Sequence, residues 1–221
     1  LKSRQVWKIA KRPTNANIVG AKWVWKKKTQ ANGSTRCKAR LVARGFSMVE
    51  GVDFFFTCAP TSSLNSFRIF LALCSRHRLK IQSIYVKTAH LHGDIDTTVY
   101  METPDGVTPF TAEDDRLLQA HGKENCACLS KKASCGTAQA GACWHKTFAN
   151  FLDGLGFTRL QSDGCEFIKH TNKRKIIITV HVDDCDIAHS HEPDLHWFLQ
   201  HLRQKFECRD EGATNYCLGM H

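Results

Sequence analysis

The sequence predicts an α+β fold, an antiparallel sheet with helices packed on one face. Three observations carry this. A β-branched run, residues 175–182, reads as a strand, while residues 64–79 and 195–206 carry apolar side chains at helical spacing. Strands and helices mix without strict β-α-β alternation. The chain has 221 residues, 42% of them apolar, which is enough for one large or two small cored domains. No apolar run approaches the roughly 18 residues needed to cross a membrane. The start, LKSRQVWKIAKR, has no apolar stretch of the signal-peptide kind. It also lacks a methionine, so the chain is expected to be a piece of something longer. Eleven cysteines, an odd number, without a secretory signal predict reduced thiols inside a cell.

The elements follow in order. Residues 1–49 hold thirteen Lys or Arg and no Asp or Glu, within a net charge of +10. A one-signed block implies a polyanionic partner, most simply a nucleic-acid backbone. A disordered tail is the alternative, but Trp7, Trp23, Trp25, Leu41 and Val42 are more apolar than such tails are. Residues 17–28 and 36–44 read as two strands joined through Ala31-Asn32-Gly33-Ser34, a hairpin signal. This ribbon carries Lys26, Lys27 and Lys28 on one arm and Lys38, Arg40 and Arg44 on the other. It could lie over a backbone or a triphosphate; a solvated charged face is the plainer reading. Residues 45–62 read as loop.

Leu64, Phe67, Phe70, Leu71 and Cys74 form a helical stripe capped by Ser62 or Ser63. Residues 80–88 and 97–102 are predicted strands, and 103–125, with Glu113-Asp114-Asp115, are polar and irregular. Trp144, Phe148, Phe151, Leu152 and Leu155 predict a second helix, stopped by Gly154 and Gly156. Residues 164–168 and 175–182 are strands around a turn at Asn172-Lys173, followed by a short return strand at 185–188. A third helix starts near Pro193, and 213–218 would be a last strand. Cys126, Cys128, Cys135, Cys143 and His145 lack the paired spacing of a structural zinc site, so thiols are the preferred reading. The aromatic stripe at Trp144, Phe148 and Phe151 reads as core.

The chemistry gathers at Asp183-Asp184, where a strand runs into a turn. Successive strand residues face opposite ways, so two carboxylates converge only if the chain turns between them. Their positive partner is most simply Mg²⁺, which takes oxygen ligands and keeps waters for phosphates. A surface turn, which Asp also favours, is the competing reading, and these residues alone do not choose.

A longer pattern adds to this. Val19-Gly-Ala-Lys-Trp-Val-Trp25, Lys38-Ala-Arg-Leu-Val-Ala-Arg-Gly-Phe46, Gly51-Val-Asp53 and Ala59-Pro60 come first. Val86-Lys-Thr-Ala89, Leu91-His-Gly-Asp94, Val99-Tyr-Met101, Gln139-Ala-Gly141 and Cys143-Trp144 follow. Gly156-Phe157, Ser162-Asp163, His181-Val-Asp-Asp184 and Leu218-Gly-Met220 complete the series. In this order the motifs resemble the reverse transcriptase domain of Ty1/copia-type retrotransposons. The resemblance implies a right-hand polymerase: fingers in residues 1–80 and 105–138, palm in 81–104 and 139–221, with thumb and RNase H beyond. It implies an RNA-directed DNA polymerase that joins a primer 3′-hydroxyl to the α-phosphate of a dNTP on an RNA or DNA template. Two Mg²⁺ ions, or Mn²⁺, would assist, in an intracellular particle or the nucleus.

The family uses three carboxylates. Asp183 and Asp184 match two as catalytic and metal-binding residues, but the third position is Tyr85. A phenol with an ordinary pKa near 10 is a poor Mg²⁺ ligand. Lys26, Lys38 and Arg40 are the best candidates for triphosphate or template contacts, with a solvated face as the plainer reading, and the resemblance adds His90 and Gln139 near the nucleotide. His90 stands where the family places an aromatic gate, and His181 where it places the hairpin tyrosine. Ala138 replaces an expected lysine and Ala142 an expected arginine. Together these departures predict a catalytically dead or strongly impaired enzyme. Completion of the cage by Asp186 or Asp94 is the alternative. A non-catalytic nucleic-acid-binding relic is the rival from another class.

Overall fold

A computed structural model describes residues 4–29, 33–106, 109–171 and 174–214. Along the chain the elements are β1 (Trp7–Lys11), β2 (Ile18–Val19), β3 (Ala21–Thr29), β4 (Thr35–Ala43), α1 (Leu64–His77), β5 (Lys80–Val86) and β6 (Tyr100–Glu102). Then come α2 (Ala112–His121), β7 (Cys126–Ser130), α3 (Ala140–Gly154), β8 (Thr158–Arg159), β9 (Glu166–Thr171), β10 (Arg174–His181), β11 (Asp184–His189), α4 (Glu192–Lys205) and β12 (Cys208–Ala213). The turn residues Asn32 and Asn172-Lys173, and the Leu218-Gly-Met220 motif, lie outside the described residues. The chain falls into two compact units, Leu1–Cys58 with His90–Trp144, and Ala59–Ala89 with His145–His221.

In the first unit, β1, β7, β6 and β2 form a four-stranded sheet, and β3 pairs with β4 as a separate ribbon. β1–β7 and β6–β7 are antiparallel and β2–β6 is parallel. Val6, Trp7, Ile9, Val19, Val99, Met101, Cys126 and Cys128 build the core. Burial pushes the Cys128 thiol up to about 12, so it sits in this core as a protonated thiol. Three elements here, β1, β7 and α2, are not anticipated from sequence. α2 falls in the stretch read as irregular because most of its residues are polar. It is started by a capping box, with Thr111 Oγ1 accepting from Asp114 N at 3.1 Å and Asp114 accepting from Thr111 N at 3.0 Å. The buried Asp114 also accepts from Ile9 N at 2.7 Å, which ties the helix to β1.

The second unit is built on a six-stranded sheet in the order β12-β5-β11-β10-β9-β8, with every pair antiparallel. α1, grouped by the sequence reading with residues 1–80, packs on this sheet through Phe67, Phe70 and Cys74 against Ile177 and Ala188. Its start follows the expected cap: Ser63 Oγ accepts from Ser66 N at 3.0 Å. Ile177, Thr179 and Ala188 are buried on the α1 face, and Ile176, Ile178, Val180 and Ile187 on the other. The sheet is therefore covered on both sides, where the sequence suggested one. α4 begins at Glu192 with proline in its first turn, as the Pro193 signal predicts.

Candidate active site and nucleic-acid interface

β10 ends at His181 and β11 starts at Asp184, and these two residues pair across the ladder. The loop between them is two residues, Val182 and Asp183. A two-residue hairpin loop of the favoured kind needs positive φ at its first position, which favours Gly or Asn. Val182 takes it, at φ +59, and a β-branched side chain there is strained. The turn is tied down because Val86 N donates to Asp183 O at 2.7 Å. The tight turn lets both aspartates sit at one end of the sheet. The Asp184 carboxyl is pushed above its ordinary value, first by partial burial, then by the like charges of Asp183, Asp186 and Glu211.

β5 lies between β11 and β12, and its register decides what faces Asp184. Residue 85 stands directly opposite Asp184, and Arg209 stands opposite residue 85 on the far side. One row across the sheet therefore reads His181, Asp184, Tyr85, Arg209. Cross-strand partners have Cβ atoms roughly 4.5–5.5 Å apart, so residue 85 is within reach of whatever Asp184 binds. The Arg209 guanidinium carbon is 6.0 Å from the centre of the Tyr85 ring, and Arg209 also pairs with Glu211.

The donor set beside Asp183 and Asp184 fits a carboxylate cage poorly, because the residue opposite Asp184 is a phenol with a guanidinium at its back. Asp186 is buried and accepts from the Ser83 and Thr214 hydroxyls. Asp94 is in the other unit, paired with Lys132.

The remaining sequence-predicted residues fall in the first unit. Lys26 and Lys38 are directly opposed in the β3–β4 ribbon, and Arg40 faces Val24 two positions along. The three point to one side of the ribbon. His90 sits in a 3-10 turn, Ala89–His92. Gln139 is buried; its Nε2 donates to Asp53 O at 2.9 Å and Thr97 Oγ1 at 3.0 Å, while Oε1 has no hydrogen-bond partner among the described residues. The buried Asp53 carboxylate in turn accepts from Asn17 Nδ2 at 2.6 Å and Val49 N at 2.8 Å. Arg209 and Val182 are the site features that sequence reasoning missed. Arg209 gave no signal, being one exposed cation in a charged stretch far from position 85.

Residues 4–221 match the family model for reverse transcriptase (RNA-dependent DNA polymerase). Among relatives, the chain is 29% identical over its whole length to the retrovirus-related Pol polyprotein from transposon TNT 1-94 of Nicotiana tabacum. It is 32% identical, over 94% of its length, to the corresponding polyprotein from transposon RE1 of Arabidopsis thaliana, and 31% identical to that from RE2. The match spans 16% of the TNT 1-94 polyprotein and 14% of each of the other two. The motif series, the antiparallel sheet ending in the Asp183-Asp184 turn and these matches agree, and the chain belongs to the reverse transcriptase family, in the form carried by Ty1/copia retrotransposons.

Proposed function

We propose that this chain is a reverse transcriptase domain that binds template–primer but is inactive or strongly impaired in nucleotidyl transfer. The observation that carries this is Tyr85 opposite Asp184 with Arg209 at its back. Reverse transcriptases generally work through divalent metal ions, and in this reading Asp183 and Asp184 are the two carboxylates left to hold Mg²⁺ or Mn²⁺, too few for a stable cage. Metal clamps supply much of the stabilisation in phosphoryl transfer, and each 1.4 kcal/mol lost is about tenfold in rate. The six-stranded unit corresponds to a palm and the unit with the basic ribbon to fingers. Lys26, Lys38 and Arg40 would meet a dNTP triphosphate or a backbone phosphate, and His90 and Gln139 would lie toward the nucleotide. The setting would be an intracellular particle or the nucleus. A second reading, a nucleic-acid-binding relic without catalysis, is favoured by the cations opposed across the ribbon.

The test is Mg²⁺-dependent primer extension on an RNA template by this chain and its Tyr85→Asp variant, each fused to a thumb from a related element. Extension by the variant alone is the expected result. Equal extension by both would mean that another group completes the cage, and the reading of impairment would fall.

A further inference from the structure

The β3–β4 register sorts the ribbon's side chains into two unlike faces. Directly opposed residues share a face, so Lys22, Lys26 and Lys28 lie with Arg36, Lys38 and Arg40. The other face carries Trp23 and Trp25 with Leu41, Ala39, Lys27 and Cys37. Trp25 is 73% exposed, the most exposed of the five tryptophans, and it stands beside charged residues on a two-stranded element. Trp23 is held: its Nε1 donates to Asp105 O at 2.9 Å. The two indoles lie 5.9 Å apart and 31° from parallel. An anchored ring thus braces a second ring whose outer surface faces water.

Leaving a large aromatic surface in water is unfavourable unless something covers it. The charges around it narrow the choice. Lys27 is on the same face and six cations line the reverse, so the covering partner carries negative charge and flat apolar surface together. Unpaired nucleobases on a phosphate backbone have both; in a duplex the flat faces are already stacked. The geometry points to Trp25 as a base-stacking platform that gives the ribbon a preference for single-stranded over double-stranded nucleic acid. It rests on the nucleic-acid reading above but does not require catalysis. In this division of labour the lysine–arginine face contributes the salt-dependent, sequence-independent affinity, and Trp25 contributes strand-type selectivity.

The test compares an unstructured oligouridine with a blunt RNA–DNA duplex of equal length, by fluorescence anisotropy over a salt series. Trp25→Ala should weaken oligouridine binding about tenfold, within the usual worth of one aromatic–base stack. It should change duplex binding less than twofold and leave the salt slope unaltered. Trp25→Phe should recover part of the loss. Lys26→Ala with Lys38→Ala should weaken both ligands and flatten both slopes. Cys37 is exposed on the Trp25 face, two residues from Ala39. Its alkylation, read residue by residue by mass spectrometry, should slow with oligouridine and not with duplex.

Equal losses on the two ligands, or none on oligouridine, would overturn the stacking assignment while leaving a lysine-dependent nucleic-acid site standing. A change in sedimentation by Trp25→Ala without a change in binding would assign the face to a protein partner and overturn it as well. Failure of the parent chain to bind either ligand at low salt would remove the nucleic-acid reading and this inference together.

Discussion

Replacing Tyr85 by aspartate should make the fold depend on magnesium. The new carboxylate would stand across from Asp184, and two unit charges about 5 Å apart at an effective dielectric of 20 repel by about 3 kcal/mol. Arg209 is on the other side, but it already pairs with Glu211 and offsets only part of this. The half-buried phenol ring is lost too. Without metal, a net loss of about 2 kcal/mol follows, or roughly 4–8 °C in Tm for a chain of this size. Once three carboxylates surround one site, a divalent cation that binds only the native state stabilises it by RT ln(1 + [L]/Kd). At about 10 mM Mg²⁺ and a Kd of about 1 mM that is about 1.4 kcal/mol, or roughly 3–6 °C. The assay is a thermal melt of parent and variant in EDTA and in Mg²⁺, at matched ionic strength. The parent should not respond to Mg²⁺ and the variant should. A parent that gains as much as the variant would show that Asp183 and Asp184 already hold the ion without a third carboxylate, and the account of Tyr85 would be wrong.

Two further outcomes are expected. Val182→Gly should remove a positive-φ strain of about 1–3 kcal/mol against about 0.5–1 kcal/mol of added chain entropy, so urea midpoints should rise by the equivalent of about 1 kcal/mol; a loss of stability would mean that the valine side chain outweighs the strain. Glu166 is buried, and burial holds its carboxyl above the ordinary value. The native state therefore binds that proton more tightly than the unfolded chain, and stability falls as pH climbs from the unfolded carboxyl value through the native one. Glu166→Gln keeps an acceptor for the Ser62 hydroxyl, 2.8 Å away, and removes the charge. The variant should be more stable than the parent at pH 7, with the difference vanishing below about pH 4, where both states of the parent are protonated. His181 works the other way, since burial lowers its value and stability drops as pH falls through the imidazole range. A Glu166→Gln difference independent of pH would refute the buried-charge account.

Much of the local structure was legible. Ser63 before an apolar stripe marked α1, and Pro193 marked α4. Asn-Gly between two alternating runs marked the ribbon, and paired aspartates after a β-branched run marked the β10–β11 turn. Each signal lies within a few residues of what it specifies. α2 was legible in principle, through Thr111 and Asp114, but its polar surface hid the period. β1 and β7 were too short and mixed to stand out. Asp183, Asp184 and the substitution at Tyr85 could be named from the motif series alone.

Which groups meet could not be read the same way. That residue 85 faces Asp184, and that Arg209 backs it, follows from ladders joining residues about a hundred positions apart. A shift of one residue in any of them would turn the side chains to the opposite face. The separation of the ribbon into cationic and aromatic faces likewise needs the register of β3 against β4. The sequence by itself determined the family, most of the helices and strands, and the tyrosine at position 85, because these are written in neighbouring residues. The tertiary structure decided the company that Tyr85 and Trp25 keep, because non-local pairing is set by how whole strands bury their faces together.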